Sequence, residues 1–209
     1  MTALTQRWPA RLADRPGLRD RLLEAYAEPH RGYHDTRHLA EVLEGLDLLL
    51  DRLGTAGVDR DAVVLAAWFH DAVYDGRPDD VERSAGLAEE TLTASGVPPA
   101  LVAEVARLVR LTLDHRPADD DLAGQMLCDA DLAILAADRD RYEEYVRGVR
   151  QEYAHLDEET FRSGRAEILT ALLGKPHLFH TATARASWEQ AARANVEREV
   201  AALSAPGSP

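Results

Sequence analysis

A histidine and an aspartate adjoin at the end of the most apolar stretch of the chain. Residues 63–69 are all apolar and lead directly into His70 and Asp71. The apolar side chains of 62–73 fall on all sides of a helical wheel, which predicts a buried helix that ends near Asp75. A buried carboxylate beside an imidazole is costly unless it is compensated, so a bound cation is one explanation. A His–Asp hydrogen bond inside a helical core is the other.

A second group of candidates lies in a histidine-rich connector. Residues 29–38 carry three of the eight histidines, and Asp35 is a suitable N-cap for a helix predicted over 36–53. On that helix His38 lies one turn in, at the edge of the apolar face, which favours a metal ligand over a core histidine. His34 precedes the cap, so helical pairing of the two imidazoles does not follow, and its role stays open.

Two aspartates, Asp129 and Asp131, lie in a helix predicted over 122–137. Residues two apart on a helix point about 200° apart, so only one of them can face a shared site. Asp131 lies between the bulky residues Leu127 and Ile134, where a carboxylate needs a partner. We therefore predict that Asp131 is the ligand. Asp129 is expected either to support the site without binding the metal or to lie on the surface.

Other polar residues near the predicted helix ends have simpler explanations. His115 follows a helix predicted over 98–114, where a histidine interacts favourably with the helix dipole, so capping is its simplest role. Arg150 and Arg165 lie on two amphipathic helices predicted within 138–174. Most arginines on such helices are solvated.

The composition restricts the class of partner and the compartment. The chain has 24 Lys and Arg against 37 Asp and Glu, a net charge of -13, which argues against duplex nucleic acid or an anionic membrane as the main partner. The single cysteine, Cys128, excludes an internal disulfide. The chain has no leader pattern and no apolar run of transmembrane length. We expect a cytoplasmic protein without a membrane partner, in which an anionic substrate needs arginines or cations.

The hydrophobic periodicity predicts helices throughout, with no strand pattern and no repeat. The expected fold class is all-α, in one domain over 1–209 with a core at about 26–180. A last helix is predicted over about 182–203, followed by a frayed end. A homodimer is left open.

Together, His38, His70, Asp71 and Asp131 make a set of two imidazoles and two carboxylates. Such a set suits Mn²⁺, Fe²⁺, Co²⁺, Ni²⁺ or Mg²⁺, with open positions for water and substrate, better than a closed structural zinc site. The order of the four residues resembles the HD superfamily of metal-dependent phosphohydrolases, whose motif is H…HD…D on an all-helical fold. The likeness covers about 26–179 and is closest to a bacterial branch of predicted phosphohydrolases. The matching stretches are 33–38, 67–75, 82–85, 129–132 and 149–153.

This resemblance implies an HD-domain helical bundle with a divalent metal at the four residues. It also implies hydrolysis of a nucleotide or another small phosphoester by metal-activated water. Asp75 matches a carboxylate that assists catalysis in guanosine-polyphosphate hydrolases of the superfamily, but their preceding acidic residue is Tyr74 here. We expect Asp75 or His34 to move a proton.

Four residues are expected to contact the small phosphorylated substrate. Arg150 and Arg165 would clamp its phosphates, and His115 and Tyr33 would also face it. Two alternatives stay open. One is a di-iron oxygenase of the same fold, with a second iron at His115 or His34; the other is a non-catalytic helical module that binds a metal or nucleotide.

Overall fold

The protein is a bundle of helices that brings distant helix ends together. The computed structural model describes residues 2–54 and 57–205, and this part of the chain contains helices and no strand, which confirms the all-α class. The frayed end predicted after residue 203 lies largely outside it. The α-helices are α1 (Thr2–Gln6), α2 (Pro16–Tyr26), α3 (Thr36–Leu53), α4 (Arg60–Phe69), α5 (Asp80–Ala94), α6 (Pro99–Leu111), α7 (Leu122–Asp131), α8 (Arg139–Glu152), α9 (Glu158–Leu173) and α10 (Ala182–Ser204). Short 3₁₀ segments cover Ala10–Leu12 and Leu132–Ala136.

Aspartate side chains begin several of these helices. Asp35 accepts hydrogen bonds from the backbone N–H groups of Arg37 and His38, which confirms the predicted cap of α3. Asp121 accepts from the N–H of Gly124 at the start of α7. Each cap satisfies a backbone donor that has no partner within the helix. These caps fix where α3 and α7 start, and therefore which of their residues face the core.

The central helix α4 lies inside the bundle and packs against α3, α6 and α7. Leu65, Trp68 and Phe69 on it are fully buried. The Trp68 ring meets the ring of Trp8, from before α2, edge to face at 5.0 Å. The connected apolar core also includes Val196 of α10, so it extends beyond the predicted range of 26–180 at both ends. No helix in the described ranges is long and apolar enough to cross a membrane.

The end of α4 differs from the sequence prediction. The helix stops at Phe69, with His70 as its C-cap, rather than continuing to Asp75. The side chain of Arg31 explains this early end, because it donates to the carbonyls of Asp71 at 2.7 Å and Ala72 at 3.3 Å. A buried guanidinium thus satisfies acceptors that another turn of helix would have used.

Other helix ends differ from the prediction by a few residues. The α7 helix ends at Asp131 and continues as the 3₁₀ segment, where an α-helix to residue 137 was predicted. The α6 helix ends at Leu111 instead of near residue 114. As a result, Asp131 lies at the last α-helical position, and His115 lies in the loop that follows α6.

Candidate metal centre

Four side chains from three separate helix ends meet at one point. His38 Nε2 and His70 Nε2 lie 3.0 Å apart. An oxygen of Asp71 lies 3.0 Å from His70 Nε2 and 3.3 Å from His38 Nε2. An oxygen of Asp131 lies 3.3 Å from His38 Nε2 and 3.5 Å from His70 Nε2. We refer to these four residues as the His–Asp cluster.

Each member of the His–Asp cluster is held by its place in the fold. His38 lies in the first turn of α3, where the Asp35 cap fixes the backbone. The ring of His70 is oriented by a contact of 2.8 Å between its Nδ1 and the carbonyl of Ala67, which leaves Nε2 for the cluster. Because Nδ1 faces an acceptor, it carries the proton in the neutral ring. The lone pair of Nε2 can then bind a metal ion.

Burial and charge act in opposite directions within the cluster. Both imidazoles are buried, and both carboxylates are largely buried. Burial by itself raises the pKa of the Asp71 carboxyl, but His70 and His34 outweigh it and hold that pKa well below its usual value. Burial likewise raises the pKa of Asp131, and His70 and His115 bring it well below the usual range. The site therefore carries two negative charges that require a cation or protonated imidazoles.

The donor set fits a divalent cation. His38, His70 and Asp71 each offer an atom within 4.8 Å of the others, which makes them a group that could hold a metal ion. Asp131 lies outside that three-residue group and joins it through its contacts with both imidazoles. Two nitrogens bound at about 2.1 Å and at right angles to one ion are about 3.0 Å apart, which matches the two Nε2 atoms. Mixed nitrogen and oxygen donors suit first-row divalent metals.

His34 lies beside the cluster and is oriented by Glu152, which the sequence did not single out. Its Nδ1 lies 2.8 Å from Glu152 Oε2, and its ring stacks on Tyr74 at 4.2 Å. Glu152 Oε1 also accepts from three consecutive backbone N–H groups at residues 32–34, at 2.8–2.9 Å. Burial raises the pKa of Glu152, but His34 and these N–H groups lower it to about 2. Glu152 is therefore the anionic anchor of the histidine-rich connector.

Two glycines allow the connector to approach α8. A Cβ atom added at Gly32 would lie 2.4 Å from the carbonyl oxygen of Gly148, and one added at Gly148 would lie 2.4 Å from that of Gly32. Neither position tolerates a side chain unless the backbones move apart. The glycines thus bring the N–H groups of the connector within reach of Glu152.

His115 reaches Asp131 from the loop after α6. Its Nε2 lies 2.9 Å from the Asp131 carboxylate. His115 is the only non-glycine residue with positive φ in the described ranges, at 51°. Strained backbone of this kind often occurs at functional sites. The backbone N–H of His115 donates to the carbonyl of Leu111 at 3.0 Å, so His115 closes the end of α6 while its side chain contacts a cluster carboxylate.

Asp129 is buried and structural, which corrects its interpretation as a surface alternative. Its two oxygens accept from the backbone N–H groups of His180 and Thr181, at 2.6 and 2.7 Å. It therefore holds the start of α10, and Asp131 faces the cluster, as the helical wheel predicted.

Three residues predicted to act on substrate have other partners. Asp75 is exposed, and its oxygen accepts from Arg83 at 2.6 Å. Arg150 donates to Glu158 and to the carbonyls of residues 153 and 156. Arg165 donates to Glu199 and to the hydroxyl of Tyr145. In the described part of the chain, none of these three hydrogen-bonds a cluster residue.

The remaining predicted residue, Tyr33, borders the cluster through its ring. The ring lies 4.7 Å from that of His38 and 4.8 Å from that of His34. Tyr33 lines a cavity of about 200 Å³ together with His38 and Asp131. A second cavity, of about 420 Å³, is lined by Tyr74, Asp75 and Glu152 among others. Both are large enough to admit a small ligand, and the first of them is lined by two cluster residues.

Comparison with protein-family models, with curated proteins and with solved structures finds no match to this chain. The likeness to the HD superfamily stays a prediction from the sequence motifs.

Proposed function

We propose that this protein is a metal-dependent phosphohydrolase that acts on a nucleotide or another small phosphoester. The observation that carries the proposal is the convergence of two imidazole nitrogens and two carboxylates, all of them at least largely buried, within 3.0–3.5 Å. When bound, Mn²⁺, Fe²⁺, Co²⁺, Ni²⁺ or Mg²⁺ supplies Lewis acidity that holds a phosphate oxygen and lowers the pKa of water towards neutrality.

The four cluster residues would hold the ion, and Asp71 and Asp131 would balance its charge. The chain has a net charge of -13 and as a whole repels an anionic substrate. A bound cation would supply the local positive charge that such a substrate needs. Arg150 and Arg165 are engaged by Glu158 and Glu199, so the ion is the stronger candidate for holding the phosphate.

His34 is better supported than Asp75 as the residue that moves a proton. Glu152 faces Nδ1 of His34, and the other ring nitrogen makes no hydrogen bond to the described residues, so it would accept a proton from water or donate one to the leaving group. Asp75 is exposed, and Arg83 lowers the pKa of its carboxyl, which makes it a weak base.

A di-iron oxygenase is the second candidate function. One observation favours it: the second oxygen of Asp131 contacts His115 Nε2 at 2.9 Å, so Asp131 and His115 are the residues that would hold a second ion. Oxygen consumption that depends on iron and on His115 would support this function in place of hydrolysis.

The cytoplasmic location and the homodimer stay predictions from the sequence.

The test is a screen of metals against phosphoesters with the purified full chain. Each of the five metals is combined with nucleoside monophosphates, nucleoside triphosphates and small alkyl phosphates, and phosphate release is measured. We expect release with at least one metal, and a loss of about a hundredfold or more in His70→Ala and Asp131→Ala. His177→Ala, which removes an exposed histidine, is the matched control. Unchanged turnover in both cluster variants would refute the proposal, and tight nucleotide binding without release in any metal would identify a binding module.

A further inference from the structure

Tyr33, one of the residues that line the cavity beside the cluster, carries a buried polar atom without a partner in the described part of the chain. The Tyr33 hydroxyl is buried and makes no hydrogen bond to the described residues. The hydroxyl interacts electrostatically with Tyr145 first, and also with Asp131, Glu41 and Arg141, which line the same cavity as Tyr33. A buried hydroxyl without a partner costs free energy, and a ligand atom that accepts its proton removes that cost. The hydroxyl thus indicates where a ligand would bind.

The cavity is shaped for an uncharged group. The rest of the lining is His38 and the apolar side chains of Val42, Ala130, Ala133, Ile134 and Ala137. Its one cation is already neutralised, because Arg141 donates to both carboxylate oxygens of Glu41, at 2.7 and 2.8 Å. A second phosphate would therefore find no unpaired positive charge among the lining residues, and it would meet the carboxylate of Asp131.

The volume of the cavity and its place beside the cluster further restrict the type of ligand. An apolar cavity of roughly 150 Å³ holds a benzene ring, and this cavity measures about 200 Å³. Its wall includes His38 and Asp131, so a group bound here adjoins the His–Asp cluster. A phosphoester whose phosphate lies at the cluster would place its organic group in this cavity.

We propose that the cavity lined by Tyr33, Ala133, Ile134 and Arg141 binds the organic group of the substrate, and that this group is an uncharged, ring-sized moiety with one acceptor for the Tyr33 hydroxyl. The substrate is then a phosphomonoester of a compact, mostly apolar alcohol rather than a compound with a chain of phosphates. This assignment rests on the proposed phosphohydrolase function for the phosphate half of the substrate. The binding of the ring itself does not depend on that function.

The first experiment tests ring binding without chemistry. Cyclohexanone carries a carbonyl acceptor, and methylenecyclohexane has the same shape without it. Binding to the full chain is followed by NMR through the methyl groups of Ala133 and Ile134. We expect saturable shifts with cyclohexanone, and roughly three- to tenfold weaker binding in Tyr33→Phe for cyclohexanone alone. Ala133→Leu fills the cavity and should remove the binding of both rings.

Two outcomes of this experiment would contradict the proposal. If neither ring shifts the methyl signals, the cavity binds only water and the assignment is wrong. If Tyr33→Phe leaves the affinity for cyclohexanone unchanged, the hydroxyl does not recognise an acceptor. The melting temperature of each variant is measured beside its affinity, so that loss of the fold is not taken for loss of the site.

The second experiment separates this inference from the proposed function. The kcat/KM values for cyclohexyl phosphate and isopropyl phosphate are compared, because both leaving groups are secondary alcohols. We expect the ring ester to be favoured at least about tenfold, and the ratio to fall towards one in Ala133→Leu. Phosphate release with a ratio near one in the wild type would overturn the inference and keep the function. Ring binding without phosphate release from any ester of the metal screen would overturn the function and keep the inference, whereas release from nucleotides and from neither of these two esters would overturn the inference.

Discussion

The Nε2 atoms of His38 and His70 face each other at 3.0 Å, although 32 residues of chain separate them. Burial lowers the pKa of each imidazole, while Asp71 and Asp131 raise it, and the carboxylates outweigh burial. The pair is therefore held between two anionic groups. A divalent cation meets the requirements of all four side chains at once.

Binding of a divalent metal should stabilise the fold. An ion that binds only the native state at a hundredfold its Kd adds about 2.7 kcal/mol to the free energy of unfolding. We expect Mn²⁺ to raise the melting temperature of the wild type and of His177→Ala, and to leave that of His70→Ala unchanged. Calorimetry with and without a chelator measures this, and an equal shift in His70→Ala would contradict a metal at the cluster.

His34 and Asp75 should differ as proton carriers. Loss of a positioned acid or base costs roughly 10²–10⁴-fold. We expect His34→Asn to lower kcat by that order, because its amide keeps a donor for Glu152 and loses the second ring nitrogen. Asp75→Asn should cost less than about tenfold, since Asp75 is exposed and paired with Arg83. Steady-state kinetics at saturating metal measure kcat for both variants. A loss of kcat in Asp75→Asn equal to that in His34→Asn would contradict the assignment of His34 as the proton carrier.

Removal of the Glu152 charge should loosen the histidine-rich connector. Its carboxylate accepts from three backbone N–H groups and faces His34 while only 2% of its side chain is exposed. We expect Glu152→Gln to lower the free energy of unfolding by about 2–4 kcal/mol. Glu143→Gln is the control on the same helix, because Glu143 is exposed and its ion pair with Arg139 is screened by solvent. Urea titration of both variants gives the comparison, and equal losses would contradict the anchoring role.

The same carboxylate should make the fold acid-sensitive. Its pKa is about 2 in the fold against an ordinary value of 4.5. A lowered carboxyl pKa stabilises the native state above the unfolded pKa, and this stabilisation is lost as the pH falls from about 4.5 towards 2. We expect wild type and Glu152→Gln to differ by about 3 kcal/mol at pH 7 and to converge near pH 2. A difference that stays constant with pH would contradict the shifted pKa.

Side chains at the glycine contact should separate the connector from α8. In Gly32→Ala or Gly148→Ala the new Cβ meets a backbone oxygen at 2.4 Å, and we expect a loss of about 2–3 kcal/mol. Gly86→Ala in α5 is the control, because its Cβ meets nothing within 4 Å and alanine favours a helix by about 1 kcal/mol. Thermal unfolding measures both, and a neutral Gly32→Ala would show that the contact can relax.

Local pattern determined much of the fold and part of the site. The apolar periodicity predicted α3, α6 and α10 to within a few residues, but it extended α4 and α7 about six residues too far. Asp35 was recognised as a cap by its type and place. The helical wheel favoured Asp131 over Asp129, because Asp131 lies among bulky apolar neighbours. These features depend on residues within one or two turns, so the sequence alone contains them.

The tertiary structure decided which distant groups meet. Glu152 holds His34 across 118 residues, and Arg31 donates to the carbonyl of Asp71, 40 residues away and just beyond the end of α4. Arg165 turns to Glu199 on another helix instead of to substrate. Hydrogen bonds and ion pairs of this kind leave no periodic signal, because they depend on how helices pack and not on spacing along the chain. The sequence by itself indicated which residue types could hold a metal, and only the packing decided what orients them.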